Sequence, residues 1–162
     1  MIDEKNAQNR YIGDREQFMV INMSSTESYS VEAELVHMTD STYWYVDIVS
    51  DVDKNLYRSA ATQWERIYKN HFAKFEIPRV TILNTKIEGA AGYFSDVDAY
   101  PSWVNVNSNE RPILYVDSHT NRPWLNRYMS VLIHEFQHLI HNFMDEGEEA
   151  LYLIHISEPT RR

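Results

Sequence analysis

The chain has 162 residues, 43% of them hydrophobic and 13% aromatic, enough for one domain or for a domain with a small module beside it. A net charge of −9 argues against a nucleic-acid or anionic-membrane partner. The absence of cysteine excludes disulfides and thiol catalysis but leaves the compartment open, and no apolar run reaches the length of a membrane span.

Residues 1–15 read as a loose lead-in, and the first ten are too polar for a signal peptide. Three strands are predicted next, Gln17–Met23, Tyr29–Met38 and Tyr43–Val49. In the second, Val31, Ala33 and Leu35 alternate with Glu32 and Glu34, the period of a half-buried strand. Polar clusters at residues 24–28 and 39–41 supply the turns. Residues 1–49 thus read as a small antiparallel β-rich module.

Ser50 is the predicted N-cap of a helix running to about His71, with Asp51 and Asp53 in its first turn. Val52, Leu56, Ala60, Trp64, Ile67 and Phe72 mark its predicted buried side. Arg79–Asn84 is a β-rich run expected to form a central strand. Residues 85–111 form a long segment punctuated by Gly89, Gly92 and Pro101. Its aromatics Tyr93, Phe94, Tyr100 and Trp103 either wall a cleft or cap the core. Pro112–Asp117 is another strand, whose edge an extended peptide could join. Asn121-Arg122-Pro123 then opens a long helix expected to end near Phe143 or Met144, with Gly147 as the stop.

That last helix carries His134-Glu135-Phe136-Gln137-His138, an H-E-x-x-H pattern. Four residues are about one helical turn, so the two imidazoles lie one above the other and can share an ion. Glu135 sits about 100° round the helix, placed to reach a water at the metal and take its proton. A bare match arises by chance in a chain rich in His and Glu, so context matters. Leu125, Met129, Leu132, Ile133, Phe136, Ile140 and Phe143 form one apolar stripe, and both histidines project from nearly the opposite side. A helix anchored by that stripe presents its histidines outward.

Other candidates are weaker. His141 lies about 10.5 Å along the helix from His134, too far to share an ion with it and His138. Glu148 and Glu149 are rival ligands if the chain folds back after Gly147. His37, His71 and His119 stand alone. Asp96 and Asp98 match a calcium loop poorly and read as a solvated loop tip. Tyr93 or Tyr115 could donate to an oxyanion, and the residues do not choose between them.

The stretch His134 to His141, preceded by Ser108-Asn109-Glu110 and Leu114-Tyr115-Val116-Asp117, resembles the bacterial hyicolysin-like zinc metallopeptidases. Gly92-Tyr93-Phe94-Ser95, Pro78–Leu83 and the segment from Ile12 through Asn22 fit the same pattern, so the resemblance covers about residues 11–150. It implies an α+β chain: a β module at 1–49, then a zincin-like catalytic domain at 50–150 built on the H-E-x-x-H helix. It implies zinc held by His134 and His138, Glu135 as the catalytic base, a polypeptide substrate and an exported enzyme. The family's third ligand is a glutamate soon after the metal helix, expected here just beyond Ala150. There the chain departs: Leu153–Arg161 resembles a translated DNA-library adapter, so residues 151–162 read as a non-native tail, and His155 and Glu158 are set aside as ligands. The expected function is a zinc endopeptidase represented without its third ligand. The competing reading is a non-catalytic extracellular binding module with a vestigial metal site, though such a module has no chemical need for Glu135. Substrate preference and oligomeric state are not legible.

Overall fold

A computed structural model describes residues 9–154, with side chains through Asp145. Its elements are β1 (Arg15–Ile21), β2 (Ser28–Met38), β3 (Thr42–Asp47), α1 (Lys54–His71), β4 (Val80–Thr85), β5 (Gly92–Phe94), β6 (Ile113–Asp117) and α2 (Asn126–Ile154). The strands form one six-stranded sheet in the order β1-β2-β3-β4-β6-β5. The first three pair antiparallel, β3, β4 and β6 run parallel, and β5 returns antiparallel to β6. The α+β reading therefore holds at this level. The β-rich segment before residue 50 and the segment after it share that single sheet, through the parallel pairing of β3 with β4.

Strands buried on both faces read as largely apolar runs, and the central ones do, with Thr81, Asn84 and Thr85 as buried polar exceptions in β4. Trp44, Val46, Ile82, Leu114 and Val116 face the helices, where they meet Tyr57, Ala60, Ala61 and Trp64 of α1 and Tyr128, Leu132, Phe136 and Leu139 of α2. Trp64 packs edge-on against Phe136 at 5.3 Å between ring centres, tying the two helices together. Tyr43, Tyr45, Leu83, Ile113 and Tyr115 face the other way and form a second core with Phe18, Val20, Ala33 and Leu35.

The sheet curls round that second core until β1 meets the far end. Asn109 closes the gap with its side-chain amide: Oδ1 accepts the Met19 N–H at 2.8 Å and Nδ2 donates to the Met19 carbonyl at 2.9 Å. The Ile21 N–H donates to the Tyr93 hydroxyl at 3.0 Å, and the Met23 N–H to the Glu88 carbonyl at 2.9 Å. At the open end of the curl, the fully buried Arg111 pairs with Glu16 at 3.2 Å and lies over the Phe18 ring at 4.4 Å.

Several boundaries differ from the sequence expectation. α1 is capped by Asp53, whose carboxylate accepts the Asn55 N–H at 2.9 Å, rather than by Ser50. Ser50 belongs to the preceding turn, its N–H bonded to the Asp47 carbonyl. The buried stripe is Tyr57, Ala60, Ala61 and Trp64; Leu56 is exposed because Tyr57 takes the inward position against Tyr128. α2 begins at Asn126, since Asn121 is held in a turn by bonds to Asp117 and Ala91. It does not stop near Met144 but runs on to Ile154 through Gly147. A helical glycine costs only about 1 kcal/mol relative to alanine, and Glu146, Glu148, Glu149 and Ala150 around it favour helix. Residues 85–111 are not featureless: they hold β5 and a 3-10 turn, Asp96–Ala99. Finally, β6 is no edge. It lies between β4 and β5, so the strand at the rim beside α2 is β5.

Candidate metal centre

α2 is amphipathic, and its geometry sets the site. Tyr128, Met129, Leu132, Phe136, Leu139 and Ile140 are buried against the sheet, while His134 and His138 are exposed. Of the expected stripe, Leu125 is exposed and Ile133 and Phe143 are half-buried; Tyr128 and Leu139 carry the anchoring in their place. With the helix seated this way, the two imidazoles stand one above the other on its open side.

Their Nε2 atoms are 3.2 Å apart, with ring centres at 4.8 Å and planes at 81°. Two nitrogens each about 2.0–2.1 Å from one tetrahedral zinc stand about 3.3–3.4 Å from each other. The pair therefore fits a shared ion with almost no movement. Glu135 joins them: one ligand atom from each of His134, Glu135 and His138 lies within 4.8 Å of the others, and among the described residues this is the only such group of three. Glu135 is more sheltered than either histidine, because it lies where α2 crosses β5. That separates the roles: two open imidazoles for a metal and a carboxylate tucked toward the rim strand.

The other sequence candidates lie elsewhere. His141 is exposed and stays outside the group. His37 and His71 are on β2 and α1, and His119 lines a polar cleft with Lys86, Ser118 and Arg122 at the carboxyl ends of the parallel strands. The side chains of Glu148 and Glu149, together with His155 and Glu158 and the position expected for a third ligand, lie outside the described residues.

Tyr93 and Tyr115 do not serve the site. They belong to the second core, on the opposite face of the sheet, where their rings stack at 4.1 Å. The Tyr115 hydroxyl donates to Asp98 Oδ2 at 2.6 Å and accepts from Asn109 Nδ2 at 2.7 Å. The aromatics of the long segment divide: Tyr93 caps the second core, while Trp103, 85% exposed, and Tyr100 face solvent.

Asp98 overturns its expectation most clearly. It is no solvated tip but 2% exposed, with Oδ1 accepting the Asn109 N–H at 2.8 Å. Burial raises its carboxyl to about 6, against the opposing pull of the Tyr115 and Asn109 hydrogen bonds. An acid whose folded pKa lies above its unfolded value stabilises the fold when protonated. That contribution is complete below about pH 4 and is lost as pH rises through about 6. Urea midpoints measured from pH 4 to 7 should fall over this window by roughly 2–3 kcal/mol of stability, and Asp98→Asn should flatten that slope. An unchanged slope in the variant would assign it to another group.

Gly92, Asp98 and Asn109 organise this region through partners distant in the chain, so no local pattern marks them for that role. No family model matches the chain, and no curated protein matches it.

Proposed function

We propose that the protein is a zinc-dependent endopeptidase with a zincin-like catalytic domain, acting on polypeptides outside the cell. The observation that carries this reading is the 3.2 Å spacing of His134 and His138 Nε2 with Glu135 beside them. Two neutral imidazoles and a neighbouring carboxylate are the donor set that such chemistry requires. The resemblance of residues 134–141 to the hyicolysin-like peptidases supports it, and a third ligand beyond Ala150 would complete the set.

Zinc, when bound, supplies Lewis acidity toward a carbonyl oxygen and a water. Glu135 takes the proton from the attacking water and returns it to the leaving amine, a role worth about 10²–10⁴-fold in rate. β5 is the last strand of the sheet, with β6 on one side, so an extended substrate adds along its other side as a further strand. This moves the substrate-pairing role from β6 to β5.

The test begins with metal. Cobalt or zinc titrated into the 162-residue chain should bind at one site, weakly, because two imidazoles supply its protein nitrogens. Single His134→Ala and His138→Ala replacements should each abolish it. Binding that survives both replacements would place the metal elsewhere and remove the basis of the reading.

A further inference from the structure

Gly92 opens β5, and α2 crosses directly over it. A Cβ at this position would lie 2.6 Å from the Tyr115 carbonyl oxygen, 2.8 Å from Val131 Cγ1 and 3.6 Å from Glu135 Cγ. The first two distances are well inside the roughly 3.5–4.0 Å at which such atoms rest. The left-handed glycines of the described chain are Gly13 and Gly89, so Gly92 is not needed for its backbone angles. It is needed for space: the Tyr115 carbonyl of β6 and the Val131 side chain of α2 close on this position together and leave no room for a side chain.

The residues of α2 that come down there are Val131 and Glu135, four apart and therefore on one face. His134 and His138 are also four apart, on the neighbouring face, and move with the helix as a unit. The depth of the α2–β5 contact thus has little effect on the spacing of the two imidazoles. It does set how far Glu135 stands from the strand along which a substrate lies.

We propose that Gly92 is a positioning residue for Glu135: its missing side chain lets α2 seat on β5 and fixes the carboxylate beside the substrate-pairing edge. The proposal rests on the peptidase reading for its functional meaning and on the geometry alone for its structural content. An alanine here must shift β5 away from the Tyr115 carbonyl of β6 and from Val131 of α2, which displaces Glu135 relative to β5 and leaves the histidine pair intact.

The test has two readouts. The first is NMR of the 162-residue chain, following the Glu135 side-chain carbons and the contact between Gly92 Hα and Glu135 Hγ. The contact is expected in the unsubstituted chain, and the Glu135 resonances should move in Gly92→Ala. A missing contact, or Glu135 resonances that stay in place, overturns the proposal. Should Gly92→Ala lower the yield of folded protein, the Gly92 Hα–Glu135 Hγ contact in the unsubstituted chain decides alone: its presence upholds the proposal and its absence overturns it, since Val131→Ala would relieve the 2.8 Å approach but not the 2.6 Å one to the Tyr115 carbonyl oxygen.

The second readout is kinetic, in a chain that carries the third ligand. Gly92→Ala should lower kcat by about 10- to 100-fold, the scale of a displacement of about 1 Å, with KM and zinc affinity within about twofold. In a Glu135→Gln background the same substitution should have almost no further effect on the residual rate. A loss of equal size in that background would show that Gly92 acts on the fold or the edge and not through Glu135. If the protein with all its ligands cleaves no peptide bond, the peptidase reading falls, and the NMR result still decides whether Gly92 places Glu135.

Discussion

Glu135→Gln is expected to lower kcat for peptide hydrolysis by about 10²–10⁴-fold, the range lost when a positioned general base is removed. Zinc affinity should hardly change. Gln keeps the shape and the position between α2 and β5, and the imidazoles of His134 and His138 lie on the neighbouring, open face of the helix. On the proposed reading β5 and not the carboxylate holds the substrate, so KM should also move little. The measurement is steady-state kinetics beside a metal titration, in a chain with the third ligand present. A variant with full kcat would remove Glu135 from the chemistry. A variant that loses zinc as well would make Glu135 a ligand and not a base.

The second large effect concerns stability. Arg111→Ala should cost about 3–5 kcal/mol, the scale for removing one partner of a buried ion pair. Arg111 is fully buried, faces both Glu16 oxygens at 3.2 and 3.4 Å, and lies over Phe18 and Tyr45. Burial by itself would raise the Glu16 carboxyl, but Arg111, the Tyr45 hydroxyl and Arg10 outweigh it and hold the group below its usual range. An acid depressed in this way stabilises the fold above its unfolded pKa and loses that contribution as pH falls through its folded value. Its sign is opposite to that of Asp98, so the two carboxylates bracket a stability maximum on the acid side of neutrality. Urea denaturation of Arg111→Ala at pH 7 checks the magnitude, and a loss below about 1 kcal/mol would show that the pair is not a major support. Glu16→Gln should cost at least as much as Arg111→Ala, because it leaves two buried guanidinium groups, Arg111 and the Arg10 that stands 3.6 Å from the same carboxylate, without their counter-charge.

Local chemistry made part of this molecule legible. The strands β1 to β4 and β6 lie within about two residues of their predicted ends, because alternation and β-branched runs are properties of the segment itself. The histidine face of α2 was legible for the same reason: a period of 3.6 places His134 and His138 away from Leu132, Phe136 and Ile140 whatever they pack against. What escaped depends on partners far along the chain. Leu56 and Tyr57 differ by one step of helix, and Tyr128, more than seventy positions away, decides which is buried. Asp98 reads as a surface acid until Asn109 and Tyr115 are seen to surround it. β5 is three residues long, too short for any periodicity, so the rim of the sheet was assigned to β6. Gly92 reads as turn punctuation, whereas its reason is the close approach of the Tyr115 carbonyl and the Val131 side chain.

The Asn109 clasp has a consequence for how this molecule meets other chains. A sheet has two rims, and each normally offers unpaired peptide groups to any passing strand. On β1 the outward groups of Met19 and the N–H of Ile21 are already taken by Asn109 and Tyr93. Those groups of β1 are withheld from any passing strand. An incoming strand would first have to displace the Asn109 amide from Met19, so the clasp guards this part of the rim against edge-to-edge association.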